Sequence, residues 1–201
     1  MAYRNVRLAV FYHCARMGAW EAVDQEITSC LTASGLLEHA DLFVRNECAD
    51  VSLFEFPTID LLRQHATGND CAILYLHTKG VSRTGPSIDD WRACMLYWMV
   101  ERWRECVDKL TKGYDVVGYT RCDRPLPHFQ GNFWWAKSSY IRTLDDPRRI
   151  KFIPSVANQG ERHKCEFWVL SKPGKFYQPY NHNLRPYSER NPRERYVGKP
   201  F

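Results

Sequence analysis

The sequence predicts a single α/β domain built on a mixed, mostly parallel sheet flanked by helices, and three observations predict it. Two uninterrupted apolar runs, Arg7 to His13 (RLAVFYH) and Cys71 to His77 (CAILYLH), have the composition of strands covered on both faces. Between and after them, apolar residues recur at the spacing of amphipathic helices. Strand and helix alternate over the first 120 residues, the order that yields parallel strands with helices on either side.

After the first strand, Trp20, Val23, Ile27, Cys30 and Leu31 recur at helical spacing, and Gly35 stands where a helix C-cap belongs. Asp41 to Arg45 reads as a second strand and Val51 to Phe56 as a third. Pro57 and Thr58 then open a short helix from Ile59 to Ala66. The strand 71–77 leads into a loop rich in Gly, Ser and Thr, from Thr78 to Ser87. The longest helix follows, from Ile88 to Lys112, with Asp89 and Asp90 in its first turn, where the macrodipole favours acids. Its apolar stripe runs through Trp91, Met95, Trp98, Met99, Trp103, Cys106, Val107 and Leu110. Gly113 ends it, and Asp115 to Tyr119 is the next strand. The last third breaks the alternation: Asn132 to Ala136 reads as a strand, Ser138 to Leu144 as a short helix, and Glu166 to Leu170 as either.

The chain has 201 residues, 44% of them hydrophobic and 14% aromatic, enough to bury a core. No run approaches the roughly 18 apolar residues of a membrane span. The start, Met1 to Arg7, leads into an apolar run without the length or cleavage site of a signal peptide, so a cytoplasmic protein is expected. Eight cysteines show neither Cys-x-x-Cys nor paired-His zinc spacing and read as reduced core residues. The net charge of +5 suits an anionic ligand. Much of it lies between Arg185 and Lys199. The expected organisation is therefore a domain over residues 1–180 and a basic, solvated tail over 181–201.

Two strings carry the chemistry. Leu76-His77-Thr78-Lys79-Gly80 directly follows the strongest strand, at the carboxyl end where α/β sheets bind ligands. Gly80 permits a tight turn, Lys79 offers a point charge to a diphosphate, and Thr78 with exposed backbone N–H groups completes an anion site. It is not a P-loop, because the pattern of glycines before Lys-Ser/Thr is missing. The second string, His128-Phe129-Gln130-Gly131-Asn132-Phe133-Trp134-Trp135-Ala136, sets aromatic platforms beside amide and imidazole donors, a combination suited to sugars. Of Trp134 and Trp135, one is expected in the core, because adjacent strand side chains point to opposite faces.

Together with Phe56-Pro57-Thr58, Trp91-Arg92 and Glu166-Phe167-Trp168, these strings resemble a family of small glycosyltransferases over residues 6 to 170. The family includes the amino-terminal domain of a large chlorella-virus glycosyltransferase linked to rhamnose transfer, and bacterial surface-glycan enzymes. The resemblance implies the GT-A fold, a UDP-sugar donor, a glycan acceptor and a cytosolic active domain. It places His13, Pro57 and Thr58 beside base and ribose, and His77, Thr78, Lys79, Gly80 and Arg92 about the diphosphate. His128, Gly131, Asn132, Trp134 and Trp135 fall to sugar or acceptor. Many GT-A enzymes hold a divalent metal with Asp-x-Asp at this strand end; here His77-Thr78-Lys79 occupies the place. That leaves Asp89, Asp90 or His77 to hold Mn²⁺ or Mg²⁺ through phosphate and water.

Sugar transfer needs positive charge on the leaving diphosphate, a base for the acceptor hydroxyl and a carboxylate near the oxocarbenium-like centre. Lys79 and Arg92 are expected in the first role. Glu166 is expected as the carboxylate, with Asp90 or Asp89 next. A catalytically inactive carbohydrate-binding protein is the main alternative. A nucleic-acid-binding module is disfavoured by the modest charge and the lack of a recognised motif.

Overall fold

Alternate residues of the two apolar runs enter different cores. In the computed structural model, which describes residues 5–151 and 160–201, strand β1 (Leu8–Ala15) lies between β2 (Leu42–Cys48) and β3 (Ala72–His77), parallel to both. On one face, Val10, Tyr12, Leu74 and Leu76 pack with Val23, Ile27 and Leu31 of helix α1 (Trp20–Ala33). On the other, Ala9, Phe11, Ile73 and Tyr75 pack with Ile59 and Leu62 of α3 (Phe56–Gly68). This two-sided burial is why both runs are apolar without interruption. Between α1 and β2, Gly35 adopts φ +68° and lets the chain turn into the one-turn helix α2 (Leu36–His39).

The protein is a mixed α/β domain whose six-stranded sheet has the order β2-β1-β3-β7-β4-β8. β4 (Val116–Gly118) and β7 (Trp134–Lys137) form its far half, β7 is antiparallel to both β3 and β4, and the one-turn helix α6 (Ser138–Ile141) follows β7. β8 (Phe176–Tyr177) closes the edge parallel to β4, and β5 (Arg121–Cys122) with β6 (His128–Phe129) makes a separate small ribbon. Among the described residues no helix is long and apolar enough to cross a membrane. All eight cysteines are free thiols, five of them buried.

Three sequence expectations need correction. Residues 51–56 do not form a strand. The Asp50 carboxylate accepts from the backbone N–H of Ser52 at 3.0 Å, which winds Val51–Leu53 into a 3-10 turn; Phe54 follows at φ +51°, and α3 already begins at Phe56. Nor is 88–112 one helix. α4 (Pro86–Leu96) passes through a π turn at Tyr97–Glu101 into α5 (Trp103–Thr111). Every residue from Cys94 to Val100 is buried. The Trp98 and Met99 carbonyls accept from Cys106 Sγ and Trp135 Nε1, groups that compete with the regular helical ladder.

The third correction concerns residues 181–201, most of whose side chains are exposed but which are anchored to the domain at Asn191 and Tyr196. Tyr196 is fully buried against Tyr97, Phe201 lies 5.8 Å from the Trp98 ring, and Arg193 pairs with Glu101 at 2.6 Å. Tyr196 thus joins the core around α4 and α5, with Phe201 packed against it. We predict that Tyr196→Ala costs about 3 kcal/mol, the scale of deleting a buried aromatic side chain. Chemical denaturation measures this, and an unchanged midpoint would mean that the segment does not dock in solution.

Candidate functional site

The carboxyl ends of β1 and β3 place two histidines side by side, because His13 and His77 are register partners. Thr78 stitches the strand ends together: its N–H donates to His13 O at 3.0 Å, and its Oγ1 accepts from Ala15 N at 2.9 Å. Beyond them opens a cleft of about 200 Å³, lined by both histidines, Thr78, Lys79, Gly80, Arg83, Trp91 and Glu55. Helix α7 (His163–Trp168) and the residue before it bring Arg162, His163 and Glu166 to the same cleft, and Tyr187 reaches it from the carboxyl-terminal segment.

Glu55 is the residue that the sequence expectations did not contain. It is buried at the cleft floor, where its Oε2 accepts from Tyr75 Oη at 2.6 Å and from Asn132 Nδ2 at 2.7 Å. Its Oε1 faces His77 Nδ1 at 3.7 Å. Burial pushes the Glu55 carboxyl up, but His77, the Tyr75 hydroxyl, His13 and Lys79 together hold it below the usual carboxylate range. His77 Nε2 lies 3.0 Å from Gly131 O; a carbonyl can only accept, so Nε2 carries the hydrogen. Burial lowers the His77 imidazole and Lys79 lowers it further, while Glu55 pulls it up.

The second string supports this floor from beneath. Asn132, fully buried at φ +58°, donates to Glu55 and accepts from Trp134 Nε1 at 2.9 Å. Trp134 stacks on Tyr75 with centroids 5.1 Å apart, and Trp135 is fully buried in the opposite core with its Nε1 on Met99 O. Both tryptophans are therefore core, and neither offers a ring face to a sugar. Gly131 cannot be replaced there, since a Cβ would lie 2.2 Å from Met95 Sδ. His128 lies on β6, where its Nδ1 donates to Leu126 O at 2.8 Å, and it does not line the cleft.

Several expected diphosphate and cation ligands are structural. Arg92, expected on the diphosphate, is buried and binds Glu26 at 2.7 Å, Asp89 at 2.9 Å and the Lys79 carbonyl at 3.2 Å. Asp90 accepts from Arg190 and, at 3.0 Å, from the Asn191 N–H. Asp89 and Asp90 thus do not fit the cation-ligand or catalytic roles offered to them, each carboxylate being held by an arginine. Among the described residues no three His, Cys, Asp or Glu side chains converge as a metal site. Thr58 is fully buried, where its Oγ1 meets His13 Nδ1 at 2.8 Å and Asn46 Nδ2 at 2.9 Å, so it orients His13 rather than a ligand. Pro57 sits in the first turn of α3 and lines a separate shallow cavity with Phe56 and Arg148. The structure does bring His13, His77, Thr78, Lys79, Gly80 and Glu166 together at one cleft.

Lys79 Nζ lies 4.6 Å from the Trp91 ring centroid, and among the described residues no carboxylate pairs with Lys79, Arg83 or Arg162. The cleft therefore sets three cations around the Glu55 floor and the Glu166 wall. A dianionic ligand would be met by positive charge, and its hydroxyls by two carboxylates and two or three imidazoles. His163, which lines the cleft beside Glu166, is the third of these; burial lowers its pKa against the pull of Glu166.

Fold and cleft together define an α/β domain with a charged cleft at the carboxyl ends of its parallel strands, the place where such sheets bind ligands. Residues 45–179 match the family described as Domain of unknown function (DUF8361), and the protein belongs to that family. The match includes Glu55, the 77–83 loop and α7, while His13 and Tyr187 lie outside it. No curated protein matches the chain.

The floor has a pH signature. Burial pushes the His13 imidazole down to about 4, against the pull of Glu55 and with the help of His77. Unfolded, a histidine titrates near 6.5, so between about 4 and 6.5 the unfolded chain binds a proton that the folded one refuses. We predict that stability is full above pH ~6.5 and falls through this window, by on the order of 3 kcal/mol from His13 alone. Denaturation at pH 7 and 4.5 should show a smaller loss for His13→Asn than for the wild type.

Proposed function

We propose that this protein is a glycosyltransferase that takes a sugar from a UDP-sugar donor and passes it to a glycan hydroxyl. The observation that carries the reading is one cleft in which Lys79, Arg83 and Arg162 face Glu55 and Glu166 across the ends of β1 and β3. Cations without carboxylate partners suit a leaving diphosphate, and two carboxylates suit an acceptor hydroxyl and a positively charged sugar centre. The resemblance in sequence to GT-A glycosyltransferases, rhamnose-transferring ones among them, adds to it, and the mixed sheet is compatible with that fold. The cleft encloses about 200 Å³, below the roughly 300–1,000 Å³ of sites that engulf a drug-sized ligand. It would enclose the sugar and diphosphate, with the rest of the nucleotide along the open side.

In this mechanism the acceptor oxygen attacks the anomeric carbon as the bond from that carbon to the phosphate oxygen breaks. The electron pair leaves with the diphosphate onto Lys79 and its neighbouring cations, and the acceptor proton passes to a cleft carboxylate. Glu166, on α7 at the wall, faces the sugar; Glu55, fixed by two hydrogen bonds, has its free Oε1 beside His77 Nδ1. Neither Arg190 nor Arg193 is a free basic group, since carboxylates hold both, and this disfavours a nucleic-acid-binding tail.

Calorimetry is expected to show UDP binding more tightly than GDP, ADP or CMP; equal binding of all four would remove the uridine assignment. Lys79→Ala is expected to weaken UDP by on the order of 1.5–3 kcal/mol without loss of fold, the worth of a charge-assisted contact. Glu166→Gln and Glu55→Gln are expected to retain UDP binding and cut turnover of the UDP-sugar identified by thermal shift roughly 100-fold. Near-normal kcat in one of them would leave the chemistry to the other.

A further inference from the structure

We infer that Arg83, held in place by Tyr187 of the carboxyl-terminal segment, is a second diphosphate-binding cation of this cleft, and that residues 185–191 are the strap that positions it. The inference rests on reading the cleft as a diphosphate site and adds a residue, and a segment of chain, that the reading lacked.

Four side chains along one wall form a continuous ladder. Lys79 Nζ lies 4.6 Å from the Trp91 ring, the Trp91 and Tyr187 rings meet edge to face at 5.4 Å, and the Arg83 guanidinium carbon lies 4.9 Å from the Tyr187 ring. All four line the cleft. A cation steadied by an aromatic face keeps its whole charge for a ligand, whereas one steadied by a carboxylate is neutralised. The contrast is visible nearby, where Arg92 and Arg190 are each taken by acids.

Tyr187 is brought to the wall by the fixed ends of its own segment. Ser188 and Glu189 donate backbone bonds to Arg185 O, closing a turn around Tyr187. Immediately after it, Arg190 and the Asn191 N–H are bound by Asp90, four residues along from Pro86 at the start of α4. Arg83 in turn belongs to the loop that Gly80 begins, its N–H donating to Gly80 O at 3.1 Å. The same loop therefore carries both cations, and each is propped by a ring from a different part of the chain. Tyr187 is 55% exposed, so nothing in the core requires its ring.

Calorimetry on the full chain, with inorganic pyrophosphate and with UDP, tests this. Arg83→Ala is expected to weaken pyrophosphate by at least about 10-fold, the low end for a charge-assisted contact. Tyr187→Ala is expected to weaken it about 2- to 5-fold with an unchanged Tm, and Tyr187→Phe, which keeps the ring face, to restore it. Wild-type protein that does not bind pyrophosphate, or an Arg83→Ala variant that binds it equally well, would overturn the clamp. A Tyr187→Ala variant with wild-type affinity, or Tyr187→Phe as weak as Tyr187→Ala, would overturn the positioning role. UDP binding no tighter than pyrophosphate would leave the clamp standing and remove the nucleotide reading instead.

Discussion

A carboxylate buried at the floor of a cleft must be surrounded by donors, and much of this molecule's upper half is arranged to supply them to Glu55. An unpaired ion there would cost several kcal/mol, so the fold cannot tolerate it without fixed partners. Tyr75 reaches it from β3 and Asn132 from the turn before β7. The Asn132 amide is oriented in its turn by Trp134, whose ring stacks on Tyr75. Two neighbouring antiparallel strands are thereby tied to one carboxylate, and the Tyr75–Trp134 register pair puts both donors on the same face. The left-handed conformation of Asn132 follows from this demand: its side chain must turn back toward Glu55, and Asn tolerates that region better than most residues.

The electrostatics above the floor follow from a different device. Burying a negative charge at the base of the cleft makes it attractive to cations, and the wall supplies them without neutralising them. Lys79 and Arg83 rest on aromatic rings, so the field they project into the cleft is not cancelled by a local acid. The result is a small cleft lined by opposed charges, where charge interactions exceed their worth at an open surface. A ligand that carries negative charge at one end and hydroxyls at the other matches that polarity.

The strands β1 and β3 were legible in the sequence as continuous apolar runs, α1 by its helical apolar period, and α3 by the Pro57-Thr58 pair that opens it. The HTKG string was legible as a strand-end loop, and the cleft does lie there. Glu55 was not, since a single acid between Phe54 and Phe56 reads as part of a broken apolar run. The clue lay in that context: an acid flanked by two aromatics has few ways to remain solvated. Residues 51–56 misled for the same reason, because the side-chain cap from Asp50 that turns them carries no hydrophobic signature. The GNFWWA string was legible as a strand with chemistry attached, but its contribution passes through buried hydrogen bonds that only the tertiary register reveals. The carboxyl-terminal segment, rich in Arg, Pro and Asn, has the composition of a solvated tail. Its attachment depends on Tyr196, Phe201 and two arginine pairs, each spaced without any local period.

Arg92 shows why charge alone is a poor guide to ligand contact. It stands in the first turns of α4, facing the loop from Lys79 to Gly85, and its sequence position suits an anion as well as Lys79 does. A guanidinium, however, presents a rigid fork of donors that can satisfy several acceptors at once, whereas an ammonium is a compact charge on a flexible stem. In this fold the fork spans Glu26 of α1, Asp89 of α4 and the backbone carbonyl of Lys79. Holding that carbonyl fixes the backbone of Lys79, while its side chain, like that of Arg83, lines the cleft. The loop's close approach to α4 also explains Gly80: at φ +87° a Cβ would lie 2.5 Å from Ile88 Cγ2 and 3.2 Å from Arg92 Nη1, so a residue without a side chain fits there. The buried arginine therefore fixes the loop's shape, and the neighbouring lysine keeps its charge on the cleft wall.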